Sequence, residues 1–203
     1  MRKIGVTGGP GSGKTTFITA LGELGVPYIS ADRVAYELTQ TDSMVQKEIS
    51  AAFPTVMETG EIDRQKLREI IFADPVSKKK LEDILHPPII REIQRFFMEK
   101  EGAYTFVAVE VPLLFEANLE AMFDRIVFVK ASEDAMKAHL MARDHISLAL
   151  ADAMLEAQWP LDQKKARSHV VIENNGDLTD LSRKAHDFYA DEIEKTTKMP
   201  ESS

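Results

Sequence analysis

Gly8-Gly9-Pro10-Gly11-Ser12-Gly13-Lys14-Thr15, followed by Thr16, is the stretch that decides how this chain folds. It fits G-x-x-x-x-G-K-[ST], the phosphate-binding loop, in the setting that template requires. Just before it, Ile4-Gly5-Val6 reads as a short buried strand. Just after it, Thr16-Phe17-Ile18-Thr19-Ala20-Leu21 opens a helix that ends near Gly25. Glycines let successive backbone N–H groups turn inward, and the helix N-terminus adds partial positive charge, so the loop cradles a polyphosphate. Gly11, Ser12, Gly13, Lys14, Thr15 and Thr16 make up this nucleotide site. Lys14 reaches the β- and γ-phosphates, and the Thr15 hydroxyl helps hold Mg²⁺. A glycine-rich turn that binds nothing would not need strand, loop, Lys-Thr pair and helix to coincide.

Outward from the loop, Val26-Pro27-Tyr28-Ile29 reads as a second strand, with Ser30-Ala31-Asp32 and a helix through Leu38 after it. From there to about Tyr104 only helical punctuation is visible. Ser43 can cap a helix that Pro54 stops, Asp63 starts another, and Asp74-Pro75 is an N-cap followed by proline at the first helical position. Pro87-Pro88 is expected to end that helix and begin the next, which closes at Gly102. Strand pattern returns at Phe106–Val111, Arg125–Val129 and His169–Ile172, as nearly continuous apolar runs suited to strands buried on both faces. The fold class is therefore α/β: a P-loop NTPase-type parallel five-stranded sheet flanked by helices. Residues 1–32 and 105–203 form its nucleotide-binding core, and 33–104, too long for a simple crossover, form an inserted helical subdomain.

Composition narrows the function. The chain has 203 residues, 44 % hydrophobic and 29 % charged, which suits a soluble globular protein with a substantial core. Its formal net charge of −8 gives no general affinity for nucleic acid or an anionic membrane. It has no cysteine, which excludes disulfides, thiolate zinc sites and a cysteine nucleophile and fits a reducing, cytoplasmic location. No signal peptide or spanning segment is expected, because Gly5, Gly8 and Gly9 break the first apolar run.

Several side chains carry candidate chemistry. Asp32 stands just past the second strand, near the carboxyl edge where open α/β sheets bind ligands, and could accept the proton of an attacking hydroxyl; the plainer reading is a helix N-cap. Glu110 closes the third strand run, where a carboxylate tunes the Mg²⁺ shell or merely faces solvent. Arg143 lies in a polar break, Arg143-Asp144-His145-Ile146-Ser147, between two helices, and can swing onto phosphates or sit on the surface. Lys164, Lys165 and Arg167 form a small basic cluster, of the kind that is mostly solvated. His86 suits a helix C-terminus, where it complements the dipole.

Together these motifs resemble the dephospho-coenzyme A kinase family. The resemblance rests on Thr7–Lys14, Ala31-Asp32, Asp63-Arg64 with Leu67-Arg68 and Ile71-Phe72, Leu85-His86-Pro87, Val111-Pro112-Leu113-Leu114-Phe115-Glu116, Arg143, Gln158, Lys164 and Val171–Gly176. The phosphate loop is shared by many kinases; the L-H-P and V-P-L-L-F-E runs around a helical insertion are far more specific. The resemblance implies transfer of phosphate from ATP to the ribose 3′-hydroxyl of dephospho-coenzyme A, with Mg²⁺. It implies that the insertion binds the acceptor and that residues 132–158 form a lid. It makes Asp32 the catalytic base, with Lys14 and the lid residue Arg143 as its catalytic companions, and places Asn175 and Gly176 with the nucleotide. His86, Leu113, Leu114 and Phe115 would line the acceptor pocket together with Asp32, and Thr15 and Glu110 would serve the metal.

The chain departs from the family pattern at Ser30, where an Asp is usual, at His139 for Arg, at His145 for Gly, and at Ser168-His169 for Ala-Asp. Pro10 makes the loop read as it does in adenylate-type kinases. A nucleoside monophosphate kinase is therefore the first alternative, with Arg64, Arg68, Arg91 and Arg95 available to clamp an acceptor phosphate; such enzymes lack V-P-L-L-F-E. A nucleotide-dependent switch would need a guanine motif such as N-K-x-D, and Asn174-Asn175-Gly176-Asp177 is not one.

Overall fold

Ile4 and Val6 have no exposed surface, and the run that carries them forms β1 (Arg2–Gly8) at the centre of the sheet. The structure, a computed structural model, describes residues 1–58, 61–174 and 178–197. Along the chain follow α1 (Lys14–Glu23), β2 (Tyr28–Ser30), α2 (Ala31–Thr41), α3 (Ser43–Ala52), β3 (Met57–Glu58), β4 (Glu61–Ile62), α4 (Arg64–Ala73) and α5 (Pro75–Lys100). Then come β5 (Phe106–Glu110), β6 (Arg125–Lys130), α6 (Glu133–Asp144), α7 (Leu148–Glu156), α8 (Leu161–Ala166), β7 (Val170–Glu173) and α9 (Leu178–Thr197). Strands β2-β5-β1-β6-β7 form one five-stranded sheet in which every pairing is parallel, as expected for the fold class. The chain divides into two compact units, Met1–Ser30 with Glu99–Ser203, and Ala31–Met98.

The sheet unit follows from its apolar runs. Every residue of β5 is buried, including the carboxylate-bearing Glu110 at its end. Helix α1 packs Phe17 edge-on against Phe188 of α9, ring centroids 5.8 Å apart, a geometry that adds to simple area burial. At the amino ends of β1 and β6, Arg2 and Arg125 each donate to the fully buried Glu192 at 2.5 Å. A carboxylate taken out of water needs such partners, and this one pins α9 to the strand ends opposite the phosphate loop. Among the described residues no helix is long and apolar enough to cross a membrane.

The helical unit has its own core, built from Val45, Ile49, Phe53, Val56, Ile62, Leu67 and Leu81. Three expectations are corrected here. Asp42, not Ser43, caps α3, accepting from the N–H groups of Met44 and Val45. A hairpin, β3–β4, stands between α3 and α4; strands of two residues each are too short to show alternation in sequence. Pro87 and Pro88 lie inside α5, which runs through them unbroken. Each proline removes one backbone donor, but Leu81 before the pair and Ile93, Phe96 and Phe97 after it are buried, and that burial outweighs a cost of about 3 kcal/mol per proline.

Candidate active site

The phosphate loop is built by mutual support among polar groups. Gly13 is the N-cap of α1 with φ 97°, a left-handed value that glycine adopts without strain. A Cβ there would also meet the Asn174 side-chain nitrogen at 2.6 Å. Asn174, just past β7, donates that nitrogen to the carbonyl of Ser12 at 2.9 Å, fixing the loop's far side. Lys14 is buried and folds its ammonium back over the loop, donating to the Gly9 carbonyl at 2.8 Å. Thr15 donates its hydroxyl to Glu110 Oε1 at 2.8 Å. The fold thus brings together the two residues expected to serve the metal. A hydroxyl and a carboxylate are hard oxygen donors of the kind Mg²⁺ prefers, and Mg²⁺ bound through few protein groups keeps water and phosphate oxygens for the rest.

Helix α6 lies directly against this loop. A Cβ on Gly11 would meet the Met136 carbonyl at 2.6 Å, so glycine is needed there for the close approach of the helix. His139 places Nδ1 2.9 Å from the Gly11 carbonyl. Lys137 ties α6 to α7 by its ion pair with Asp152 at 2.7 Å and pairs along α6 with Glu133 at 3.0 Å; the Asp152 hydrogen bond, then that of Glu133, raises its ammonium well above the usual range. Arg143, in the last turn of α6, is exposed and forks onto Asp144 at 2.8 and 2.7 Å. His145 ends the helix at φ 53°, a left-handed conformation that histidine tolerates better than most residues. Ser147 caps α7 as expected, accepting from Leu150 N–H.

A family model for dephospho-CoA kinase matches residues 2–180. The chain belongs to the dephospho-CoA kinase family. Among curated dephospho-CoA kinases it is 38 % identical to that of Geobacillus kaustophilus, over 89 % of this chain and 91 % of the relative. Among solved structures, TT1252 from Thermus thermophilus matches with a TM-score of 0.81 at 32 % identity, covering 94 % of this chain and 97 % of that one. The dephospho-CoA kinase from Campylobacter jejuni matches with a TM-score of 0.65 at 29 % identity, covering 96 % and 98 %. The shikimate kinase from Acinetobacter baumannii, at 16 % identity and a TM-score of 0.54, shares the fold alone.

Set in this kinase family, the remaining expected site residues divide between the two units. In the helical unit a cavity of about 800 Å³ is walled in part by Asp32, Tyr36, Arg64, Arg68, Leu81 and Leu85. Asp32 is the second residue of α2, which begins at Ala31, so it is not the helix cap. The Arg64 guanidinium lies 4.3 Å over the Tyr36 ring. His86 sits half-buried inside α5 rather than at a helix end, so the dipole reading does not apply to it. In the sheet unit, Leu114 and Phe115 have no exposed surface and are core side chains. Their side chains do not line a pocket, and of the three only Leu113 is partly exposed. Asn175 and Gly176 lie outside the described residues.

Other contacts were not foreseen. Asn174 and His139 both bond carbonyls of the loop, and nothing in their local sequence says so. Lys164, read as part of a solvated cluster, is fully buried and ion-paired to Glu116 at 2.6 Å. Desolvation is the main influence on it and pulls its pKa down. The signal was present in the family resemblance, since Glu116, Gln158 and Lys164 all belong to matching motifs.

Proposed function

We propose that the chain transfers the γ-phosphoryl group of ATP to the ribose 3′-hydroxyl of dephospho-coenzyme A, giving coenzyme A and ADP. The observation that carries this reading is the family match over residues 2–180, which takes in both the loop and the helical unit. ATP as co-substrate follows from membership of a kinase family with an intact loop.

The finer assignments follow the chemistry of phosphoryl transfer, in which positioning and charge stabilisation do most of the catalysis. Loop N–H groups from Gly11 to Thr16 hold the nucleotide phosphates, with Asn175 and Gly176 beside the nucleoside. Lys14 exchanges its bond to the Gly9 carbonyl for the β- and γ-phosphates. Thr15 and Glu110 would hold Mg²⁺, which neutralises phosphate charge when bound. Asp32 takes the proton of the attacking hydroxyl, and Arg143 leaves Asp144 to meet the charge that spreads over the transferred group. The cavity beside Asp32 receives the acceptor, with His86 and the turn at Leu113 as further contacts. Both substrates are soluble metabolites, and a cytoplasmic location completes the proposal.

The test is incubation of the purified protein with ATP and Mg²⁺, together with dephospho-coenzyme A or a panel of nucleoside monophosphates, and identification of the product by mass. Coenzyme A is the expected product, and chelation of Mg²⁺ should stop its formation. Phosphorylation of a nucleoside monophosphate in preference to dephospho-coenzyme A would overturn the reading.

A further inference from the structure

A lysine ammonium has three donors, and Lys164 uses them within a fully buried site. It donates to the Pro112 carbonyl at 3.1 Å and to Gln158 Oε1 at 2.8 Å, and it pairs with Glu116 Oε1 at 2.6 Å. Those acceptors come from two places. Pro112 and Glu116 lie in the turn that follows β5; Gln158 stands in the segment that leads from α7 to α8. The same junction is fastened twice more. Trp159 donates its N–H to Glu116 Oε1 at 2.9 Å, and Thr7, the residue before the phosphate loop, donates its hydroxyl to the Pro112 carbonyl at 3.3 Å.

Stability alone is a poor explanation for this arrangement. Buried ion pairs are often replaceable by apolar side chains without loss. Both Trp159 and Lys164 meet Oε1 of Glu116, while Oε2 is buried with no hydrogen-bond partner among the described residues. What the network does achieve is geometric: it fixes the exit of the α6–α7 pair to the turn after β5.

We propose that Glu116 and Lys164 are positioning residues that couple the Arg143-bearing helix pair to the acceptor-side turn, so that transfer to the acceptor hydroxyl outruns transfer to water. The proposal rests on the functional reading given above. When the coupling is lost, the helix pair closes without a correctly seated turn, and water attacks the γ-phosphorus in place of the ribose hydroxyl. The bond from that phosphorus to the ADP oxygen breaks, and ADP and inorganic phosphate are released.

Glu116→Gln, which keeps shape and the acceptor for Trp159, is the first test, and Lys164→Met/Glu116→Gln, which removes both charges, is the second. For each, the ratio of ADP formed to coenzyme A formed is measured together with the KM values for both substrates and the melting temperature. The expected result is a ratio raised roughly tenfold, a raised acceptor KM and an ATP KM within about twofold of wild type. A merely structural role lowers the melting temperature and the folded fraction but leaves the ratio and both KM values unchanged, and that result in either folded variant overturns the proposal. If the wild-type protein makes no coenzyme A at all, it is the functional reading that fails, and with it the acceptor on which this one depends.

Discussion

At the phosphate loop the recognising groups are backbone donors braced by neighbours that are already satisfied: Asn174 on Ser12, Thr15 on Glu110, Lys14 on Gly9. In the helical unit the cavity of about 800 Å³ is walled by exposed side chains, Asp32, Tyr36, Arg64 and Arg68, from two helices. On the proposed function the first is recognition by main chain, the second by side chain. Backbone recognition demands glycine wherever a ligand, a left-handed turn or a neighbouring helix comes close, so it leaves a motif. Side-chain recognition can be assembled from many residues at many spacings, so Asp32, Arg64 and Arg68 stand out only against the pattern of the family. The donor half is therefore rigid in sequence and the acceptor half adaptable. Substitutions should separate the two halves in kinetics as cleanly as they are separated in chemistry.

The sharpest break comes at Lys14. Lys14→Ala removes a buried ammonium that donates to the Gly9 carbonyl of the phosphate loop, the place where the proposed polyphosphate would lie. Transfer should fall on the order of 10⁴-fold while the circular dichroism spectrum and melting transition persist. Wholesale unfolding would mean that Lys14 holds the loop itself, and the contrast drawn above would lose its donor side. Next comes Asp32→Asn. Since α2 starts at Ala31, Asp32 lies in its first turn rather than at its cap, and the substitution removes the proposed base at the cost of one first-turn charge. Turnover should drop by roughly 10²–10⁴-fold with ATP affinity preserved; unchanged turnover would strip Asp32 of the role.

How far each half was legible follows the same division. The strand–loop–helix from β1 to α1 could be read closely, because a short apolar run, glycine spacing and the Lys-Thr pair each reflect a local constraint. Asp63 and Asp74 were legible for the same reason: capping is decided within three residues. Pro87-Pro88 was misread because the local rule for proline was applied where tertiary burial of Leu81, Ile93, Phe96 and Phe97 decides the outcome. Lys164 was misread because neighbours in sequence, Lys165 and Arg167, suggested a solvated run, while its partners Glu116 and Pro112 lie some fifty residues away. Leu114 and Phe115 belong to a motif that marks the family, yet they are core; a motif can hold the turn in place without its side chains touching ligand.

Arg143 tests the boundary between the halves. It is exposed and held by Asp144, the residue next to it, so it can leave that partner at little cost. Arg143→Ala should reduce kcat by roughly 10²-fold, with much smaller changes in either KM, because the contact proposed for it would strengthen only as charge spreads in the transition state. A loss confined to the acceptor KM would make it a ground-state binding residue and move it to the acceptor side of the comparison.

The smallest effect is expected where recognition is most distributed, in the cavity beside Asp32. Arg68 is exposed on α4, one turn after Arg64, and both line that cavity. Arg64 already has a partner in the Tyr36 ring, which holds its guanidinium in place; Arg68 is the better candidate to meet acceptor phosphate. With the proposed acceptor shared among several side chains, removal of one should raise the acceptor KM about tenfold and leave kcat and the ATP KM nearly unchanged. Lysine is not an adequate replacement at a bidentate site, so Arg68→Lys should recover only part of the loss. Steady-state kinetics with each substrate varied in turn separates the cases. An acceptor KM that does not move in Arg68→Ala, with Arg64→Ala equally silent, would mean that the cavity is not where the acceptor binds, and the side-chain half of the comparison would have to be sought elsewhere on the helical unit.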